Sequence, residues 1–125
     1  RKVEYKLDFD TESEIIVPLN AALFSWVVEN ICKNAIDAME GNGLITISLK
    51  EDLKNLIIDF TDTGKCISTR EQKSIFNPGY TSKKRGWGLG LSLAKRIVNE
   101  YHKGKIFVKS STLGKGSVFR VVLRK

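Results

Sequence analysis

A chain of 125 residues with 42% hydrophobic side chains is long enough to bury one core and is the size of a single domain. No apolar run approaches the length of a membrane span, no signal-peptide pattern is present, and the two cysteines lack metal-ligand spacing, which excludes a zinc site and favours a reducing, cytosolic setting. The net charge of +7 is uneven. Residues 1–64 carry 6 Lys and Arg against 12 Asp and Glu, and residues 65–125 carry 15 against 2. Such asymmetry fits a nucleic-acid surface, or a pocket with an acidic metal wall and a basic phosphate wall.

Hydrophobic periodicity and turn residues predict the order strand, helix, two strands, short helix, loop, helix and two strands. The predicted strands cover residues 2–9, 44–49, 53–60, 105–109 and 117–123, with tight turns at residues 51–52 and 113–116. The predicted helices cover residues 18–39, 69–75 and 88–101. This order favours a two-layer α/β sandwich in which about three helices cover one face of a mixed five-stranded sheet. Because the first residue is Arg1 rather than Met, we expect a piece of a longer protein.

The first predicted helix carries an apolar and a polar face. Its apolar stripe, at helical spacing, consists of Phe24, Val28, Ile31, Ala35 and Ala38. Asn30, Asn34 and Asp37 follow at i, i+4 and i+7, so they share one face, which we expect opposite the stripe. An Asn carbonyl is a hard, neutral ligand that suits a Mg²⁺ ion bound to phosphate oxygens. The same pattern also fits the solvated face of any amphipathic helix.

The end of the third predicted strand reads Asp62-Thr63-Gly64. A carboxylate at a strand end can accept a hydrogen bond from an exocyclic amine such as that of adenine, and Gly64 would let a base lie close to the backbone. By itself, an Asp-x-Gly sequence is equally compatible with an ordinary turn.

A basic, glycine-rich segment leads into the third helix, and residues 79–98 read GYTSKKRGWGLGLSLAKRIV. Lys83, Lys84 and Arg85 stand just before this helix, whose first N–H groups are free to bind an anion. The interleaved glycines let backbone N–H groups approach a ligand closely. The segment therefore predicts a polyphosphate site. A further glycine turn, GKGSVF, precedes the last strand, although alone it reads as a plain hairpin.

Taken in this order, the motifs resemble those of the ATP-binding catalytic domain of sensor histidine kinases, in the GHKL superfamily with the Bergerat fold. ENICKNAIDAM is similar to the asparagine box, DTGKCI to the first glycine box, IFNPGYTSKK to the phenylalanine box, GWGLGLSLAKRI to the second glycine box and GKGSVF to the third. The resemblance spans about residues 3–123. It implies ATP and Mg²⁺ as cofactors and transfer of the γ-phosphate to a histidine on a separate dimerisation domain.

The resemblance also implies roles for single residues. Asn34 would coordinate Mg²⁺, and Asn30 and Lys33 would act as catalytic residues near the phosphates. Asp62 would bind the adenine amino group, aided by a water that Ser117 helps position. A lid of about residues 68–87 is expected to be loosely ordered without nucleotide. The residues expected to bind ATP are Asn30, Asn34, Asp37, Asp62, Gly64, Ile67, Thr81, Ser82, Lys83, Gly86, Gly88, Leu89, Gly90, Leu91 and Ser117.

Two positions depart from the family pattern. Cys66 stands where the family usually has Gly. If φ is positive there, the Cβ costs about 1–2 kcal/mol, and we expect Cys66 to weaken nucleotide binding or shift the lid. The rival expectation is an ordinary φ and a side chain that only packs. Trp87, between two glycines, is expected either to cover the lid hinge or to remain an exposed ring. His102 is expected to be structural or solvated, not the phosphoacceptor.

The resemblance implies as partners ATP, the histidine-bearing dimerisation domain of the same protein and, through the full kinase, a response regulator. From this domain we expect no nucleic-acid binding and no membrane contact, in a cytosolic location. A nucleic-acid module is disfavoured because no nucleic-acid motif accompanies the scattered Lys and Arg. The alternative is an anti-sigma-type protein serine kinase of the same fold. Because no acceptor domain is included, the chain alone is expected to bind Mg-ATP and turn it over slowly, if at all.

Overall fold

The computed structural model describes residues 2–9, 17–78 and 90–125. A five-residue π-helical turn, Ile97–Tyr101, continues the third helix. The elements in chain order are β1 (Lys2–Phe9), α1 (Ala21–Ala38), β2 (Asn42–Glu51), β3 (Asn55–Asp62), α2 (Thr69–Ser74), α3 (Gly90–Arg96), β4 (Lys105–Thr112) and β5 (Gly116–Arg124).

The strands form one mixed sheet in the order β1-β2-β3-β5-β4. β1 runs parallel to β2, and the crossover between them contains α1. The other neighbours, β2 with β3, β3 with β5 and β5 with β4, are antiparallel. The predicted fold class, a mixed five-stranded sheet with helices on one face, is confirmed.

Strand alternation directs one face of the sheet toward the helices. Cross-strand neighbours on this face pair apolar with apolar, as where Phe60 of β3 meets Phe119 of β5. The α1 residues buried against it are Val27, Ile31 and Ala35. The buried line includes Val27, which the predicted stripe lacks. The predicted stripe residues Phe24, Val28 and Ala38 lie at the sides of this line and are half-buried. Each large apolar side chain buried here stabilises the fold by roughly 1.5–3 kcal/mol.

The opposite face of the sheet carries a buried ion pair. Asp59 is only 6% exposed, and its cross-strand neighbour is Arg120. The Arg120 Nε donates to Oδ1 at 2.7 Å and Nη2 donates to Oδ2 at 2.8 Å. A bidentate pair of this kind fixes the register of β3 against β5. That register sets the geometry at the end of β3.

Several predicted boundaries differ from the observed ones by a few residues. α1 begins at Ala21, not at residue 18, because the Asn20 side chain caps it by accepting from the Leu23 N–H at 3.0 Å. β2 extends further at both ends and β3 lies two residues later than predicted. Their turn lies at residues 52–54, where Asp52 Oδ1 accepts from two backbone N–H groups. The described part of α3 begins at Gly90. Residue 88, where that helix is predicted to begin, lies outside the described residues.

His102 has a structural role, as expected. It is 8% exposed, and its Nε2 accepts from the Asn20 backbone N–H at 3.0 Å. Its Nδ1 lies 3.1 Å from the Ile97 carbonyl oxygen. Since Nε2 is an acceptor, the ring proton sits on Nδ1 and is donated to Ile97. The imidazole therefore joins the start of α1 to the π-helical turn.

Candidate nucleotide-binding site

Asp62 ends β3 as a buried carboxylate. It is 2% exposed, and its Oδ1 accepts from the Gly64 N–H at 2.8 Å. Burial raises the pKa of Asp62, while hydrogen bonds from the Gly64 and Ser117 backbone N–H groups act to lower it. The carboxylate is therefore held in one orientation within a dry setting. Such a group is suited to accept a hydrogen bond from an amine.

A chain of hydroxyl groups supports Asp62 from the neighbouring strands. Ser117 lies directly opposite Asp62 in the ladder and is 1% exposed. Its Oγ is 2.7 Å from the Ser111 Oγ, which accepts from the Ile67 N–H at 2.6 Å. Ser117 also donates to the Lys65 carbonyl oxygen at 3.4 Å. β4 and β5 thus hold the segment that follows Asp62. We name this arrangement of Asp62, Ser117, Ser111 and Ile67 the base end.

Ser111 could not be predicted from the sequence, because a β-bulge determines its position. In the ladder between β4 and β5, Val108 pairs with Phe119, but the next pair is Ser110 with Val118. Lys109 is skipped, so Ser111 rather than Ser110 faces Ser117. Strict alternation would have placed Ser110 there. Two consecutive serines cannot be told apart without knowledge of the bulge.

Two glycines allow backbone segments to pack closely together at the base end. Gly116 has φ +100°, and a Cβ built there would overlap the Asp62 carbonyl oxygen. A Cβ on Gly64 would lie 2.7 Å from the Ala38 carbonyl carbon. Gly64 therefore packs against the last residue of α1, and the Lys65 N–H donates to the Ala38 carbonyl at 3.1 Å. Packing explains this glycine, and its predicted contact with the base stays a prediction.

The second group of predicted residues meets where α1 faces α3. Asn30 is half-buried, and its Nδ2 donates to the Trp26 carbonyl at 2.8 Å. A Cβ on Gly90 would lie 2.7 Å from Asn30 Oδ1, so this oxygen lies beside the first residue of α3. Asn34, one turn later on α1, is also half-buried. We name Asn30, Asn34 and Gly90 the metal end.

The prediction that the polar face of α1 lies opposite the apolar stripe is therefore wrong. Successive helix residues are separated by about 100°, so Asn30 lies beside Ile31 rather than behind it. The neighbouring face packs on α3 beside Asn30, and both Asn30 and Asn34 are half-buried. Lys33 and Asp37 are exposed on α1. Side chains at such a boundary are positioned by packing and still reach solvent.

The chemistry of the metal end fits Mg²⁺. In the described residues, no cluster of three or more His, Cys, Asp or Glu could hold a metal ion. Amide oxygens are hard ligands that suit Mg²⁺ when phosphate and water complete its shell. Because the Asn30 NH₂ group is bound to Trp26, its oxygen is the atom that remains available as a ligand.

Two of the predicted ATP-binding residues that the structure describes have apolar side chains, and others lie outside the described residues. Ile67 and Leu91 are half-buried and pack on the hydrophobic core. Six predicted ATP-binding residues lie outside the described residues, as does Trp87: Thr81, Ser82, Lys83, Gly86, Gly88 and Leu89. Their contacts with nucleotide stay predictions.

The premise that Cys66 is strained is wrong. The non-glycine residues with positive φ in the described chain are Glu40 and Lys103. Cys66 has an ordinary φ and an exposed side chain. The alternative expectation is an ordinary φ and a side chain that only packs. It is confirmed for φ, but the side chain is exposed and contributes little packing. The close approach to α1 is made by Gly64, two residues earlier.

Comparison with known proteins identifies the family. Residues 20–125 match the model of a family described as histidine kinase-, DNA gyrase B-, and HSP90-like ATPase. The chain belongs to this ATPase family. The resemblance inferred from the five motifs is thereby confirmed.

Named relatives and solved structures fall on the histidine-kinase branch of this family. Sporulation kinase C of Bacillus subtilis (strain 168) is 42% identical over 94 residues, covering 75% of this chain and 22% of the kinase. Sensor histidine kinase ZraS of Salmonella typhi is 43% identical over 98 residues, covering 78% and 21%. The nucleotide-free catalytic domain of histidine kinase ThkA superimposes with a TM-score of 0.86 at 28% identity, covering 98% of this chain and 80% of that domain. The chain thus spans about a fifth of the first two kinases.

No helix in the described part of the chain combines the length and apolar character needed to span a bilayer.

Proposed function

We propose that this chain is the ATP-binding catalytic domain of a sensor histidine kinase. In this proposal it binds Mg-ATP and donates the γ-phosphate to a histidine on a separate dimerisation domain. The observation that carries the proposal is the buried, oriented Asp62 carboxylate at the end of an inner strand of an ATPase-family fold. The relatives named above are sporulation and sensor kinases.

At the base end, Asp62 would accept the hydrogen bond of the adenine amino group. The Gly64 and Ser117 N–H groups keep the carboxylate in place without ligand, so binding requires little reorganisation. An unmatched buried carboxylate is costly, and an amine donor relieves that cost. A base with a carbonyl oxygen at this position would instead repel the carboxylate. The base end therefore favours adenine over guanine.

At the metal end, Asn34 and Asn30 would hold Mg²⁺ through their amide oxygens. When bound, the ion would supply charge neutralisation for the phosphates, which phosphoryl transfer requires. Gly90 leaves the space beside Asn30 Oδ1 free of a side chain. Lys33, exposed on the same helix, would reach the phosphates as a mobile cation, and Lys83 is proposed to join it. Catalysis by this chain is then mainly positioning of the γ-phosphate.

The partners follow from the same proposal. A solved structure shows histidine kinase ThkA in complex with response regulator protein TrrA. We extend this to the full protein, with the acceptor histidine on its dimerisation domain, a response regulator as the later partner, and a cytosolic location for this domain. None of the comparisons favours an anti-sigma-type serine kinase.

Isothermal titration with Mg-ATP tests the two ends separately. Asp62→Ala is expected to weaken binding about 10- to 100-fold, whether or not Mg²⁺ is present. Asn34→Ala is expected to weaken binding with Mg²⁺ and to have little effect when the metal is chelated. Asn99→Ala, exposed on the π-helical turn, is the matched control and should bind as wild type does. Equal affinity in all four proteins would overturn the site assignment.

A further inference from the structure

The free edge of β1 combines exposed apolar side chains with charges that alternate in sign along the strand. β1 is an edge strand, and its partner in the described residues is β2. Tyr5, Leu7 and Phe9 are 55%, 63% and 54% exposed. The ladder places Tyr5 beside Ile45, which is buried in the core, so these side chains lie on the helix-bearing face of the sheet. The packing of α1 falls on β2 and β3, which leaves this strip of the face open in the described structure.

Edge strands with exposed apolar residues are templates for further strand pairing. The alternate residues of β1, on the opposite face, include Glu4, Lys6 and Asp8. Charged side chains, Lys above all, are one means by which edge strands avoid pairing, and charges of one sign would repel an identical strand. The signs here alternate along the strand. An identical strand laid antiparallel can therefore find opposite charges across from its own.

We propose that β1 pairs antiparallel with β1 of a second copy of this chain, about a two-fold axis at Tyr5. In this register Tyr5 faces Tyr5 of the second copy, and Val3 faces Leu7. Glu4 faces Lys6 of the second copy, and the symmetry repeats this ion pair. Directly opposed residues in an antiparallel ladder lie on the same face, so apolar meets apolar and charge meets opposite charge. The two sheets become one sheet of ten strands.

Other registers are less favourable. A shift by one residue would set apolar side chains against charged ones. An axis at Glu4 or Lys6 would place that charge against its own copy. An axis at Leu7 pairs Lys6 with Asp8, but it pairs only residues 5–9, whereas the Tyr5 axis pairs residues 2–8 of β1. The Tyr5 axis thus gives the longest ladder without like-charge repulsion.

This contact is expected to be weak and to depend on concentration. A single strand pair buries much less than the roughly 800 Å² per partner of a standard interface. Two copies held together by other means would form it more readily, because their effective concentration is high. The partner expected at this edge is a second copy of the chain, because the charge pattern of β1 complements itself.

Charge reversal tests the proposal by sedimentation velocity and NMR over a concentration series. Wild type is expected to dimerise with increasing concentration. Lys6→Glu alone and Glu4→Lys alone each create two like-charge pairs and are expected to weaken self-association about tenfold. An equimolar mixture of the two variants restores opposite charges and is expected to dimerise again. Mg-ATP binding, which these residues do not touch, should stay unchanged and serves as the folding control.

Disulfide trapping gives a second readout in a Cys32→Ala, Cys66→Ala background. Tyr5→Cys places two thiols on the proposed axis and is expected to crosslink rapidly under mild oxidation. Phe107→Cys, on the opposite edge strand β4, is the matched control and should crosslink slowly. A folded wild type that stays monomeric at all concentrations, charge reversals without effect, or equal crosslinking at both positions would each overturn the proposal. Protection of Tyr5 from solvent in a monomer, which means another segment covers it, would also overturn it.

Discussion

The base end and the metal end are built by different means. At the base end, Asp62 and Ser117 are neighbours in a strand ladder, and Gly116 lets the two backbones meet closely. At the metal end, Asn30 lies between two helices and is held by one hydrogen bond to its own helix. A ladder fixes backbone positions through many bonds, whereas a helix pair positions side chains through packing. The base end is therefore expected to tolerate less change than the metal end.

The largest effect is expected when a methyl group is added at the base end. Gly116→Ala places a Cβ against the Asp62 carbonyl oxygen at a positive φ, so we expect a loss of about 3 kcal/mol or more in the free energy of unfolding. Gly114→Ala is the control, because φ is +81° there but nothing lies within 4 Å. It should lose only about 1–2 kcal/mol. Equal losses in urea denaturation would show that the close approach to Asp62 is not restrictive.

The second prediction separates binding from stability at Asp62. Asp62→Asn keeps the shape but removes the buried charge, so ATP affinity should fall about tenfold or more while the unliganded protein becomes more stable at neutral pH. Burial raises the pKa of Asp62 above its ordinary 3.8, so the folded state binds more protons than the unfolded state. The contribution of Asp62 to wild-type stability should therefore rise as pH falls through the raised pKa. The advantage of Asp62→Asn should shrink in the same window and vanish below 3.8. Thermal unfolding of both proteins against pH measures this, and a constant difference would contradict it.

A smaller effect is expected at Ser111. Ser111→Ala leaves the Ile67 N–H without its partner and removes one of the two contacts of the Ser117 hydroxyl, which costs about 1–2 kcal/mol in stability. Ser110→Ala is the matched control, since Ser110 is exposed and faces Val118. It should change stability by less than about 0.5 kcal/mol. If both variants lost the same stability, the bulge would not place Ser111 as described.

The smallest change in stability is expected at the metal end. Gly90→Ala brings a Cβ within 2.7 Å of Asn30 Oδ1, the end of a side chain that can turn away. Stability should change by less than about 1 kcal/mol, because Ala also favours the helix. Affinity for Mg-ATP should fall several-fold, since Asn30 is displaced, and affinity for metal-free ATP should change less. A loss of stability as large as that of Gly116→Ala would remove the difference between the two ends.

The fold and the motif positions could be predicted because several local signals agree. Helical periodicity indicates the helix α1, alternation indicates the strands β3 and β5, and glycines indicate the turns. Asp62 and Ser117, which the motif resemblance predicts to act together at the adenine, lie opposite each other in the ladder. Their proximity follows from the strand order, which places β5 beside β3.

Details that depend on distant contacts could not be predicted. The hydrogen bond from the Asn20 backbone N–H to His102 joins residues 82 apart, so no local pattern indicates it. Ser111 depends on a bulge, which leaves no mark in the alternation of β4. The burial of Asn30 depends on where α3 packs, which the pattern of α1 alone does not contain. Each is a tertiary effect that overrides a correct local pattern.

The strand order has a consequence for how the domain is made. β5 is the last strand in the chain, yet it lies inside the sheet, between β3 and β4. During synthesis β3 has no partner on that side until β5 emerges, so Asp62 stays without Ser117 and Gly116. Pairing of strands so far apart in sequence is intrinsically slow. A ribosome-bound chain that stops before residue 116 would therefore carry Asp62 without its β5 neighbours. Under the proposed function, such a chain would bind nucleotide only after β5 has been made.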